Sequence, residues 1–164
     1  MAVTTQKSTE YTNATASPVT LNEANVYHGR VRIAYFTHDQ DGVGDAGSSV
    51  ALCALPAGKV KVLLSQSKAY VNWVTSSATL DLGWDAYTNI SGTAVAADPD
   101  GLVDGLDVDT VGYQTLEGAL AGIKATGGTH TFETQGGVII RATSQDTAIA
   151  SGDDLVGYIL YVVD

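Results

Sequence analysis

The chain has 164 residues, enough for one domain with a substantial core. Its 45% hydrophobic content excludes a largely disordered protein, and only 16% charged residues leave much of the surface to Thr, Ser, Asn, Gly and Ala. A net charge of −10 works against nucleic-acid binding, which needs basic patches for phosphate.

Residues 1–25 are rich in Thr, Ser, Ala and Asn without a period, and read as an extended arm: either a plain floppy terminus or an arm that orders only against a neighbouring subunit. Residues 2–20 lack the apolar stretch of a secretory leader, and no segment reaches the length of a membrane span. The first strand is Tyr27–Thr37, where Arg30-Val31-Arg32-Ile33-Ala34-Tyr35 alternates. A period of two sends neighbouring side chains to opposite faces, so Val31 and Ile33 are expected inside and Arg30 and Arg32 outside. His38 to Gly47 is a polar loop with three glycines and three Asp residues.

Ser49–Leu55 is an apolar strand expected to be buried on both faces, with Cys53 as an inert, buried thiol. One cysteine builds neither a disulfide framework nor a zinc site. Leu55-Pro56-Ala57-Gly58 is a turn, with Pro presetting φ at its second position. Lys59–Ser65 follows, with Val60 and Val62 inward, then Ala69–Val74. Thr79–Trp84 places Leu80, Leu82 and Trp84 inside and Asp81 outside. Thr93–Ala97 reads as a strand broken by Asp98-Pro99-Asp100-Gly101.

Thr115–Lys124 reads as a short helix, from Leu116, Leu120 and Ile123 at helical spacing with Gly127-Gly128 as a stop; Gly118 and Gly122 weaken it. His130–Glu133 and Val138–Thr143 read as a hairpin around Gln135-Gly136-Gly137. Leu155–Val163 is apolar on both faces: a central strand, or one whose second face meets a partner. The expected fold is all-β: an antiparallel jelly-roll sandwich of about eight strands, with an extended N-terminal arm and at most one short helix. Residues 1–25 form the arm and residues 26–164 the sandwich.

Chemistry is thinly signalled. The acidic segments Asp39–Asp45 and Asp98–Asp109 have closely spaced carboxylates and glycines, yet neither matches a calcium loop, and both read as solvated turns. Acid is concentrated late in the chain: residues 83–164 carry two basic and twelve acidic groups, against six and six in residues 1–82. His28, His38 and His130 lack metal-ligand spacing. Gly47-Ser48-Ser49 enters a strand and is no nucleophile elbow; Gly42-x-Gly44-x-x-Gly47 precedes a strand where a phosphate loop needs a helix. Trp73, Trp84, Tyr70 and Tyr87 would suit a sugar platform, though Trp84 keeps register with the inward Leu80 and Leu82. No catalytic, cofactor-binding or metal residue is assigned, and the chain is expected not to be an enzyme.

Three stretches carry a family resemblance: Tyr27-His28-Gly29-Arg30-Val31-Arg32-Ile33-Ala34-Tyr35-Phe36-Thr37, Ala54-Leu55-Pro56-Ala57-Gly58-Lys59-Val60, and Thr79-Leu80-Asp81-Leu82-Gly83-Trp84-Asp85-Ala86-Tyr87. In their order the chain resembles the small virion structural proteins of tailed bacteriophages. The resemblance implies a head decoration (cement) protein on the capsid surface, made in the host bacterial cytoplasm. Its implied partners are the major capsid protein and further copies of itself, a homotrimer rather than a dimer, with neither nucleic acid nor membrane. No functional residue carries over, because the family has no catalytic motif. The second reading is a tail-associated or carbohydrate-recognising β-sandwich binding module.

Overall fold

The structure, a computed structural model, describes residues 7–24, 29–73, 75–117 and 127–164. Twelve strands occur among them: β1 (Val31–Asp39), β2 (Ser49–Leu55), β3 (Gly58–Leu63), β4 (Lys68–Val71), β5 (Thr79–Trp84), β6 (Tyr87–Thr88), β7 (Ala94–Val95), β8 (Asp98–Asp107), β9 (Gly112–Thr115), β10 (Thr129–Thr134), β11 (Val138–Ser144) and β12 (Asp154–Val163). A 3-10 turn, Leu64–Gln66, follows β3. The one α-helix among the described residues, α1 (Thr9–Thr15), starts where the Ser8 hydroxyl accepts from the Tyr11 amide at 3.2 Å. The helix expected at 115–124 falls largely outside the described residues; Thr115 itself ends β9. No helix among the described residues is long and apolar enough to cross a membrane.

Every ladder is antiparallel, and pairing runs from the outside inward. β1 pairs with β12, β2 with β11, β3 with β10, β4 with β9, β5 with β8 and β6 with β7. One long hairpin of paired segments, rolled so that its pairs divide between two facing sheets, is a jelly roll. The first sheet centres on β12, which has β1 on one edge and β3 and β4 along the other; β10 and β9 extend it. The second sheet runs β2-β11-β5-β8.

The core lies between the sheets. Val60, Val62 and Phe132 face Leu55, Leu80, Leu82 and Ile140, as the alternation in Lys59–Val62 and Thr79–Leu82 requires. Trp84 packs against this core, stacked on His130 at 4.9 Å and edge-on to Phe132 at 5.3 Å. Burial lowers the His130 pKa, so its ring packs uncharged. Outside the core, Arg141 clamps Asp85 with Nε–Oδ1 at 2.6 Å and Nη2–Oδ2 at 2.7 Å, which holds the Asp85 carboxyl below its usual range.

Several expectations need correcting. The 135–137 turn does not close a hairpin: β10 pairs β3 in one sheet, and β11 pairs β2 and β5 in the other. Gly137, at φ +90° and placed where an added Cβ would run into the Leu55 carbonyl oxygen, lets the chain turn that corner. Asp98–Gly101 does not break a strand but begins β8, a ten-residue edge strand. An edge tolerates Pro99, and two register shifts against β5 bring Leu102 and Val103 both inward. Ser49–Leu55 is not buried on both faces; as the edge strand β2 it is half-exposed along most of its length. Cys53 is correspondingly half-buried, although burial still pushes its thiol up to about 11.

Candidate docking surface

β1 carries apolar residues on both faces: Ala34 and Phe36 on one, Val31, Ile33 and Tyr35 on the other. The structure turns Ala34 and Phe36 toward the core and leaves Val31, Ile33 and Tyr35 exposed, the reverse of the face expected from Arg30–Ile33. Phe36 decides it. It lies opposite Gly157 in the register, and Gly157 has no Cβ to meet its ring.

Residues paired directly across a ladder share a face, so the register assembles the outer surface of the first sheet. One row reads Tyr35, Tyr158, Lys68, Thr115, and the next Thr37, Val156, Tyr70, Tyr113. Tyr35 meets Tyr158 edge-on at 6.0 Å, and Tyr70 meets Tyr113 edge-on at 5.4 Å. Tyr35 is 72% exposed and Tyr113 77%. The four tyrosines, Lys68, Asp154, Val156 and Gly157 line an open cleft of about 410 Å³. Asp154 accepts from Asn72 Nδ2 at 3.1 Å, which fixes one wall. Exposed tyrosines in paired rows with few charges match the composition of protein interfaces, where Tyr is enriched and carries much of the energy.

The other candidates do not assemble into a reactive site. Trp73 is buried and cannot present its face to a sugar, and Trp84 is stacked inside. Tyr70 is the one member of that expected platform that lines the cleft. His28 lies outside the described residues, His38 bonds Gln40 at 3.0 Å, and His130 belongs to the core aromatics. Among the described residues no three His, Cys, Asp or Glu side chains are arranged to hold a metal ion. Ser48 and Ser49 lie at the entry to β2, with Ser49 Oγ accepting from Arg141 Nη1 at 3.2 Å.

One carboxylate departs from expectation. Asp81, expected outside, is 7% exposed, and its Oδ1 accepts from the Gly105 amide at 2.8 Å. This contact anchors the irregular β5–β8 ladder. Burial pushes its carboxyl above the usual range, and Asp104, Asp100 and Asp146 add repulsion against the lowering effect of the Gly105 amide. The folded state therefore holds this proton to higher pH than the unfolded chain does. The resulting stability is full below the ordinary carboxylate range and is lost as pH rises through the raised value. Asp81→Asn keeps an acceptor for Gly105 and removes the charge. It is expected to raise the Tm at neutral pH by roughly 2–4 °C, and to leave it unchanged near about pH 3, where a carboxyl is already protonated. Melting curves at the two pH values check this; equal shifts at both would contradict the electrostatic cause.

Neither the protein-family models nor the curated proteins give a match to the sequence. Solved structures do match the fold. A chain from the capsid of Ralstonia phage GP4 superposes with a TM-score of 0.60 at 16% identity, covering 83% of this chain and 86% of that one. A chain from the Cyanophage Pam1 capsid asymmetric unit superposes with a TM-score of 0.50 at 14% identity, again covering 83% of this chain and 86% of that one. At such identities the likeness is one of fold. It runs over nearly the whole of both chains, which are therefore close in length.

Proposed function

We propose that this chain is a virion structural protein that decorates and stabilises a bacteriophage capsid, without a catalytic role. In this reading it binds the outer surface of the major capsid protein lattice as a homo-oligomer, a trimer in preference to a dimer. Residues 1–25 serve as an arm and residues 26–164 as the sandwich. The observation that carries the reading is the near end-to-end likeness to a chain of similar length in a phage capsid. The tyrosine-lined outer face supplies the surface such a role needs. Attachment through several copies turns modest contacts into firm retention.

The test is adsorption to purified phage heads that lack decoration. Tyr70→Ser combined with Tyr113→Ser removes one aromatic pair from the face. Adsorption is expected to fall by about 1,000-fold, the scale of two interface hot spots of about 2 kcal/mol each. Unfolding should be little changed, because Tyr113 is largely exposed. Unaltered adsorption by the variant would remove the face from the reading; failure of the native protein to adsorb would remove the reading itself. The cleft of four tyrosines beside Lys68 and Asp154 favours, as a second reading, a carbohydrate-recognising module. Saccharide binding by the native protein that the double variant loses would select it.

A further inference from the structure

The tyrosine cleft on the first sheet has a shape that narrows what it can grip. Its four rings are arranged as two corners. Tyr35 meets Tyr158 at an interplanar angle of 68°, and Tyr70 meets Tyr113 at 63°. A ring standing edge-on upon another leaves a V-shaped notch between two faces, where a narrow ridge fits and a broad flat ring does not. In each pair one ring, Tyr158 or Tyr70, is half-buried, and its partner, Tyr35 or Tyr113, stands exposed. The notches are therefore held from below and open above.

The register fixes their spacing. Tyr35 and Tyr158 pair across β1 and β12, Tyr70 and Tyr113 across β4 and β9, and Tyr70 lies opposite Val156, one row along from Tyr158. Strands are ~4.8 Å apart and successive rows on one face ~6.8 Å apart, so the notches lie about 12 Å from each other. Val156 and Gly157 line the cleft between them. A polyproline helix rises ~3.1 Å per residue, so about three to four residues carry proline from one notch to the next. That helix makes no internal hydrogen bonds and leaves its carbonyls free. The tyrosine hydroxyls are donors for them, as is the exposed Lys68 ammonium, which has no ion pair among the described residues. Two rows from Lys68 the charge is opposite. Asp154 lines the cleft there, and Asp39 sits directly across the ladder from it. Two carboxylates in facing positions repel, and neither has an ion pair among the described residues. A basic residue beside the prolines relieves that repulsion.

We propose that the cleft holds an extended, proline-bearing segment of a partner protein, with prolines in the two tyrosine notches and a basic residue against Asp154 and Asp39. The occupant is such a segment and not a saccharide because steeply inclined rings offer no flat platform, and one Asp154 oxygen is already taken by Asn72 at 3.1 Å. Aromatic-lined grooves suit a polyproline helix because it is ordered before it binds, and little entropy is lost. The proposal rests on the capsid reading above and deepens it, naming the chemistry of the shell segment that this face grips. It is tested with synthetic peptides and no shell present.

The probe is a short oligoproline peptide ending in one arginine, titrated into isotope-labelled protein and followed by amide chemical shifts. Saturating shifts are expected at Tyr70, Tyr113, Val156 and Gly157, with a Kd below about 1 mM. Tyr113→Ser, at a largely exposed position, keeps the fold and should weaken binding by at least about 10-fold. Asp39→Asn, also exposed, should weaken the arginine peptide by about threefold and leave oligoproline without arginine unchanged. A glycine-serine peptide carrying the same arginine should not bind. The proposal is overturned by no saturable shift with oligoproline, by equal binding of the glycine-serine control, or by full affinity in Tyr113→Ser. An arginine preference unaltered in Asp39→Asn, or shifts at these residues with maltose or lactose instead, would overturn it too. Head adsorption is scored separately. Heads that bind the native protein and not the Tyr70→Ser, Tyr113→Ser variant, with no peptide bound, refute this occupant and leave the capsid reading. Peptide binding without head adsorption refutes the capsid reading and leaves this contact standing.

Discussion

Phe132→Ala is expected to cost about 4 kcal/mol of stability, roughly a quarter or more of what a domain usually has. Phe132 is completely buried on β10, the strand that with β3 extends the first sheet. Its ring meets Trp84 of the second sheet at 5.3 Å, His130 at 4.5 Å and Tyr87 at 5.9 Å. Truncation leaves a void bounded by three rings, which are too stiff to collapse into it. In thermal unfolding the midpoint should fall by roughly 10 °C. Phe132→Leu, which refills part of the volume, should recover much of that loss. A loss under about 1 kcal/mol on truncation would show that these rings do not tie the sheets together.

Gly157→Ala is expected to cost about 3 kcal/mol and to disturb the tyrosine surface as well. Gly157 sits in the middle of β12, opposite Phe36 on one side and Ala69 on the other. A Cβ there would collide with the Lys68 carbonyl oxygen and lie 2.7 Å from Phe36 Cζ. Backbone cannot give way as a flexible side chain can, so β4 must move away from β12. Tyr70 and Lys68 ride on β4, and the cleft they line should change shape with it. Amide exchange at Ala69 to Val71 should speed up more than exchange in β11, which lies in the other sheet. Uniform acceleration across both sheets would mean that the strain is not local.

Those two positions mark what the sequence could and could not disclose. Val60, Val62, Leu80 and Leu82 alternate with polar residues, so their inward direction was legible. β1 was not, because Val31, Ile33 and Tyr35 compete with Ala34 and Phe36 for the interior. The choice fell to Gly157, more than a hundred residues away. β8 was obscured by Pro99, Gly101 and five Asp residues spread from Asp98 to Asp109, which punctuate a chain locally but are tolerated on an edge. The hairpin expected around Gln135 failed because a tight turn joins strands without saying whether they share a sheet. The tyrosine face had a single trace in the sequence, the two-sided apolarity of Leu155–Val163. Its other members come from β1, β4 and β9, and only the register brings them together.

The nesting of the strands sets an order on how this protein can come into being. Only β6 and β7, at the innermost turn, find each other a few residues apart; each pair further out closes a longer stretch of chain. β12 is the partner of β1, β3 and β4 at once. Until it has emerged from the ribosome, most of the first sheet has nothing to assemble on. A nascent chain must therefore wait with its tyrosines bare until synthesis has passed β12.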